Sequence, residues 1–489
     1  MSILVVDVGT SGVRAAVVRP DASVEHVHHV TVLPETPFPG LVELDASAIA
    51  TAVHDVAAAS LAAGGPVDAV GIANQRASTV VWERAGGVPV APGIGWQDLR
   101  TVGTCIELQS RGFRVAPNAS ATKLAAILDQ VDPDRARAER GELAFGTVDT
   151  WAAWVLSAGE LHVTDPSNAG VTGLLAADGS GWSGELLAEL RIPEAVLPDI
   201  VDSSGTVGTA STLAGAPPVA GLAGDQQASL IGQGCIRPGQ TKATFGTGGM
   251  LDQCLGPDRS PGGVRGPAGT IPIIGWRRKG RITWGIEAIM LSAGTCIEWL
   301  RDDLGIIDDA ADSAEVAAGC TETGDVWFVP ALLGLGTPVW DFGARGTILG
   351  ITRGSGRPEL VRAVLEGVAH RGADLLEAAE SDSGLAVDAL RIDGGMSANE
   401  VFVRALAEAC GRSIEVSPVL EATTLGAAFL AGMAVGTWGG EDDVARTWSP
   451  RVVVDPERST SERAADRGRW LEARARSEGT IPELSVLEF

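Results

Sequence analysis

Five short stretches hold side chains and backbone suited to chemistry on a phosphate. Asp7 closes the apolar run "ILVVDV" and is followed at once by the glycine turn "GTSG". Asp225 opens "DQQASLIGQ", and "TKATFGTGGMLDQCL" (241–255) repeats the strand, glycine turn, strand design of the opening residues. "ALRIDGGMSAN" ends an apolar run at Asp393 and turns through two glycines toward a helix that opens near Ser397 or Asn399. Unpaired N–H groups at hairpin tips and helix N-termini suit phosphate oxygens. A carboxylate that organises Mg²⁺ and a second that takes a hydroxyl proton would complete the parts phosphoryl transfer needs. Each aspartate also has a plainer use, Asp7 capping a turn and Asp225 capping the helix that follows it. The glycine turn after Asp393 follows neither the G-x-G-x-x-G nor the Walker A pattern, so neither a Rossmann nor a P-loop site is supported there. The fifth stretch, "NQRAST" (74–79), is a polar island between "VDAVGIA" and "VVW". Its one charge, Arg76, has Ala77 beside it where a partner carboxylate would be useful.

The elements that must position these residues follow from the pattern. Residues 3–8 and the "VRAAVV" after the turn predict a hairpin, and "PVDAVGIA" (66–73) predicts a buried strand. "ASAIATAVHDVAAASLAAG" (46–64) has helical spacing and stops at glycine. "TDPSNAG" (164–170) reads as a loop, and the turn-rich "GTVGTASTLAGAPPVAG" around 205–220 could pass for a linker. The segment "STSERAADRGRWLEARARSEG" predicts a charged, solvated helix.

Composition bounds the function classes. At 489 residues, 45% hydrophobic and with 63 glycines, the chain is expected to be globular α/β with two domains or more. Lys plus Arg is 37 against 62 for Asp plus Glu, a net charge of −25. So acidic a chain argues against nucleic acid or an anionic membrane as partner, and any phosphate site has to be built locally. The cysteines at 105, 235, 254, 296, 320 and 410 have irregular spacing without CxxC. Buried thiols in a reducing compartment are the plain expectation, zinc or disulfides the others. "MSILVVDVGT" lacks a basic segment ahead of its apolar run, and "LGAAFLAGMAVGTW" is too short for a bilayer of about 30 Å. A cytoplasmic protein is expected.

The ordered motifs give the chain a resemblance to the FGGY carbohydrate kinases, closest to the members that phosphorylate glycerol. It rests on "DVGTSGVR" (7–14), "NQRASTVVWE" and "GWQDLRT" (74–101), "FGTVDTWAAWVLSAGELHVTDPSNA" (145–169) and "GDQQASLIGQ" (224–233). It continues through "FGTGG" (245–249), "VWFVPALLGLGTPVWDFGARGTILGITRG" (326–354), "DGGMSAN" (393–399) and "TTLGAAFLAGMAVGTW" (423–438). Nearly the whole chain is covered. The resemblance implies two ribonuclease-H-like domains of the actin/hexokinase/Hsp70 type, residues 1–233 binding the acceptor and 234–489 the nucleotide, with MgATP in the cleft between them. It implies Thr10, Ser11 and Arg14 at the ATP phosphates from the first domain and Thr247, Gly248 and Gly294 from the second. Gly395 and Asn399 would hold the adenosine part, with Glu298 nearby. Asp7 would organise Mg²⁺, and Asp225 would be the base and stand next to the metal. Arg76, Ala77, Trp96, Asn118, Gln226 and Met250 would line the acceptor pocket.

That pocket departs from the family pattern. The arginine of N-Q-R is followed in the family by glutamate, here by Ala77. The tyrosine of P-Y-F-S-G-T-K is Asn118, the phenylalanine after the second glycine turn is Met250, and the glutamine of G-x-x-x-Q-W is Glu298. With a carboxylate and two rings gone from the wall, the expected acceptor is a longer polyol or ketose of four or five carbons. The alternative is phosphorylation of glycerol to glycerol 3-phosphate, with Ala77 as neutral drift. An alternative of another class is a non-catalytic nucleotide-binding regulator, against which the presence of both Asp7 and Asp225 speaks. A small polyol or sugar is the expected partner, and a homodimer is compatible with the sequence.

Overall fold

The computed structural model describes residues 1–257, 264–419 and 421–486. Its centre is a 13-stranded mixed sheet. The first half of the chain supplies β1 (Ile3–Val8), β2 (Gly12–Val18), β3 (Val24–Thr31), β4 (Ala69–Asn74), β5 (Ser204–Thr209) and β6 (Pro218–Gly224). The second supplies β7 (Thr241–Phe245), β8 (Gly249–Gly256), β9 (Ile271–Arg278), β10 (Arg281–Met290), β11 (Ala389–Asp393), β12 (Ser413–Val416) and β13 (Val452–Val454). Their order is β13-β12-β11-β7-β8-β10-β9-β5-β6-β4-β1-β2-β3. Each half repeats one plan. A central strand, β1 or β7, has its antiparallel hairpin partner on one side and a parallel strand, β4 or β11, on the other. The halves meet at the parallel Ser204–Arg278 pairing of β5 with β9.

The central strands are near-continuous apolar runs because both sheet faces are covered. Helix α1 (Ala46–Gly64) starts where Asp45 accepts from the N–H groups of Ser47 and Ala48, each at 2.9 Å. It is long and apolar enough to cross a membrane, yet its Ile49, Val53, Val56 and Leu61 join the core with β1 and β2. Over the second half, α4 (Arg357–Ser383) and α5 (Glu400–Cys410) cover β7, β8 and β10. A third core lies under α2 (Asp225–Gly232) and α6 (Ala422–Val435) and takes residues from both halves, Ile3 and Val5 among them with Cys254 and Trp276. The two helices touch backbone to backbone. A methyl group on Gly426 would lie 1.7 Å from the Ala228 carbonyl oxygen, and one on Gly232 would lie 1.9 Å from that of Ala422.

Three expectations change. Residues 205–220 are no linker: they hold β5 and the start of β6, and Gly221 lets the α6 backbone approach closely. The segment 164–170 is a short helix, Pro166–Val171, because Asp165 caps it and proline suits its first turn. Helix α7 (Thr460–Ala475) is charged but not merely solvated. Its Trp470 is fully buried and stacks on His370 at 5.2 Å, and Arg467 reaches Asp374 at 2.8 Å. All six cysteines are free thiols, four of them buried.

Candidate active site

Three parallel strands, β1, β4 and β6, end at one level: Asp7 pairs with Ala73 and Gly224 with Asn74. The chain leaving each end therefore enters the same space, which brings Asp7, Arg76 and Asp225 together. Behind them is a buried strut. Asn74 and Asn168 exchange side-chain hydrogen bonds at 2.9 and 3.0 Å, Asp165 accepts from Asn168, and the Gly224 N–H donates to Ser167 Oγ. The motif "TDPSNA" thus braces the strand ends.

Burial raises the Asp7 carboxyl to about 6, the Asp225 charge adds to the rise, and Arg14 opposes it. Asp225 is raised as well, first by burial, against the pull of Arg76. Two carboxylates that repel each other at a site edge suit a hard cation, which would relieve the repulsion. Among the described residues no group of three or more His, Cys, Asp or Glu gathers as a metal cage. Mg²⁺ fits here in the manner usual for nucleotide sites, on one or two carboxylates with phosphate oxygens and water.

Arg76 does have carboxylate partners, one of them from the far half of the chain. Its Nη2 donates to Glu287 Oε2 of β10 at 2.6 Å, and its Nε lies 3.4 Å from Asp225 Oδ1. Met250 Sδ stands 3.8 Å from the same Nη2. Glu287 pairs across the sheet with Asp252 of β8, which in turn faces Lys242 of β7. The Lys242 ammonium lies 2.7 Å from Asp252 Oδ2, both side chains fully buried, and also donates to Gln226 Oε1 at 2.6 Å. Burial pushes the Asp252 carboxyl up against the attraction of Lys242. A row of charges thus runs from Lys242, which also holds Gln226, through Asp252 and Glu287 to Arg76.

The remaining residues expected at an acceptor pocket, Ala77, Trp96 and Asn118, come from loops. Ala77 is buried and holds φ at +64°, a left-handed backbone that costs an alanine about 1–2 kcal/mol. Its carbonyl accepts from Ser120 Oγ at 2.8 Å, which fixes the turn. Trp96 donates from Nε1 to Thr10 Oγ1 at 3.2 Å, tying this wall to the first glycine turn. Lys123, fully buried, donates to the carbonyls of Gly95, Trp96 and Asn118 at 2.8, 3.0 and 3.1 Å. One ammonium therefore fastens two loops of the wall, while the Asn118 residue itself is exposed.

The second glycine turn, residues 246–248, is gripped by the turn into α3 (Gly294–Glu298). The Gly294 N–H donates to the Gly246 carbonyl at 2.8 Å, and the Ala293 N–H donates to that of Thr247 at 2.9 Å. A methyl on Gly294 would lie 2.6 Å from the Gly246 oxygen, and one on Gly248 would lie 2.8 Å from the Met290 oxygen. Thr247 is exposed at the tip, as is Ser11 at the first tip, and Arg14 on β2 lies 4.0 Å from Glu421. Glu298 is exposed. Gly395 has open space where a side chain would be. Asn399 is the N-cap of α5, accepting from the Phe402 N–H at 3.1 Å while donating to Ser313 Oγ at 3.0 Å. Sequence reasoning missed Lys123, Lys242, Asp252 and Glu287. A signal existed for three of them, since each is a lone charge inside a strand of apolar residues: "TKATF", "MLDQCL" and "WGIEAIM".

Carboxylates and an arginine gather at one set of strand ends, and the second glycine hairpin reaches the same arginine through Met250. Residues 2–232 match the N-terminal domain of the FGGY family of carbohydrate kinases and residues 242–435 its C-terminal domain. The chain is similar to a glycerol kinase of Aromatoleum aromaticum, 41% identical over 98% of this chain and 99% of that one. Among solved structures it is similar to Plasmodium falciparum glycerol kinase with ADP, with a TM-score of 0.90, 27% identity and coverage of 100% and 99%. A xylulose kinase from Rhodospirillum rubrum shares the fold at a TM-score of 0.84 and 21% identity, covering 99% of each chain. The chain belongs to the FGGY carbohydrate kinases and is an ATP-dependent kinase of a polyol or sugar hydroxyl.

Proposed function

We propose that this kinase phosphorylates glycerol, giving glycerol 3-phosphate. The observation that carries the choice is the surroundings of Arg76. The expectation of a four- or five-carbon acceptor counted the carboxylate missing at residue 77 as missing from the pocket. Asp225 and Glu287 both face the guanidinium, so a hydroxyl entering here meets donor and acceptor groups without a glutamate at 77. The similarity to glycerol kinases at 41% identity over nearly the full length of both chains supports the same reading.

In this reading residues 1–233 and 234–489 form two ribonuclease-H-like units, and the acceptor and nucleotide meet in a cleft between them. Arg76 donates to an acceptor hydroxyl, Trp96 forms an apolar wall, and Gln226 and Met250 close the pocket beside Asp225. Asp225 takes the proton of the attacking hydroxyl as the γ-phosphate is transferred, a task within hydrogen-bond reach of a carboxylate. Amides of the turns holding Thr10, Ser11, Thr247 and Gly248 face the phosphates, and Gly395 leaves room for the nucleoside. Mg²⁺, held by Asp7 with Asp225 nearby, would neutralise phosphate charge. The protein works in the cytoplasm, where ATP is supplied.

A panel of C3 to C6 polyols and ketoses, scored by ADP release and product analysis, tests this. Glycerol is expected to give the highest kcat/KM. A four- or five-carbon acceptor preferred by about tenfold or more, equivalent to ~1.4 kcal/mol in transition-state binding, would restore the larger-acceptor reading.

A further inference from the structure

Arg76 reaches the site from a loop after β4, yet its strongest partner belongs to a strand of the other half. Glu287 on β10 takes the Nη2 donor at 2.6 Å, with the arginine side chain 11% and the glutamate 6% exposed. The guanidinium is planar and rigid, so fixing Nη2 and Nε also fixes where Nη1 points. Nη1 is buried and has no hydrogen-bond partner among the described residues. A buried guanidinium donor left unpaired is costly, and a ligand oxygen would satisfy it. Glu287 is itself held in register: it stands opposite Asp252, whose carboxylate is ion-paired to Lys242, and the row ends at Gln226 beside the base.

We propose that Glu287 is the positioning residue of the acceptor site, holding Arg76 so that its free Nη1 donor meets a hydroxyl of the bound polyol. The carboxylate that in this chain does not follow Arg76 in sequence is thereby supplied across the two halves, and acceptor affinity depends on their being correctly seated. This deepens the acceptor assignment above and rests on it. Glu287 is ion-paired to the arginine, so its loss is expected in acceptor binding and not in ATP binding.

The test is a double-mutant cycle of Glu287→Gln and Arg76→Gln, measured with the acceptor that wild type uses best. Glu287→Gln is expected to raise the acceptor KM by about tenfold or more and leave the ATP KM within about twofold. In the Arg76→Gln background the same change should add little, because its effect runs through the arginine. Glu287→Asp, which keeps the charge but shortens the reach, should fall between wild type and the glutamine variant. An acceptor KM within about twofold of wild type, or penalties that multiply across the cycle, overturns the proposal. If Glu287→Gln does not fold, Glu287→Asp is held to the same split between acceptor and ATP, and an unchanged acceptor KM again overturns it. A wild type that prefers another polyol to glycerol refutes the glycerol assignment alone, since the cycle is then run on that polyol.

Discussion

The two glycine hairpins use one backbone plan for opposite kinds of chemistry. In β1–β2 the strand ahead of the turn carries Asp7, cross-strand from Arg14, and Asp225 stands two strands away across β4. In β7–β8 the strand ahead of the turn carries Thr244, paired with Met250, and its charges sit one step farther back at Lys242 and Asp252. The first tip is electrostatically loaded, with Gly12 packed against the Val30 carbonyl of β3. The second tip is neutral and clamped by backbone, with Gly294 seated against Gly246. Under the proposed function the repeated plan would divide labour: the first hairpin would concentrate charge where a hydroxyl is activated, and the second would offer an amide cradle.

The largest effect is expected on the charged side. Asp225→Asn should lower kcat by about 10²–10⁴, the usual range for loss of a general base, while ATP binding and thermal unfolding stay near wild type. Turnover above a few per cent of wild type, measured with saturating acceptor, would sink the base assignment.

Next comes the clamped side. Gly294→Ala forces a methyl group into a backbone oxygen that has no side chain to swing away, so the 246–248 turn has to shift. The expected outcome is an ATP KM raised by about tenfold with acceptor binding nearly unchanged, an effect of ~1.4 kcal/mol. Equal losses for both substrates would erase the division between the hairpins.

The smallest effect is a pH dependence at Asp7. Its folded carboxyl lies at about 6, above the ordinary 3.8, so between those values the folded chain binds more protons than the unfolded chain. This group therefore favours the ligand-free fold as pH falls through 6 toward 4, and withdraws that contribution as pH rises through the same window. Activity should move the other way, declining below about 6 as the carboxylate is neutralised. Asp7→Asn should flatten the stability trend between pH 4 and about 6 in calorimetric scans. A trend unchanged by the substitution assigns it to other groups.

Much of this molecule is legible one residue after another. Alternation and glycine placement locate both hairpins, the α1 helix and a helix opening near Ser397 or Asn399, because turns and helix ends are local chemistry. Asp7 and Asp225 stand out as charges at the ends of apolar runs. The 205–220 segment and α7 were misleading because what decides them is distant. Gly208 and Gly221 read as flexible until Leu161 and the α6 backbone lie against them, and an Arg–Trp pair reads as solvated until Asp374 and His370 arrive.

The partner of Arg76 belongs to that second kind. The sequence by itself determined the family, the two strand–turn–strand cradles and the two aspartates, since each is written in a contiguous stretch whose spacing carries its geometry. Only the tertiary structure decided that Glu287, 211 positions from Arg76, takes its Nη2 donor. Pairing of a buried charge is a property of the space around it, and that space is set by the register of β8 on β10 and the approach of β4 from the other half. No local pattern around "WGIEAIM" or "NQRAST" encodes that distance.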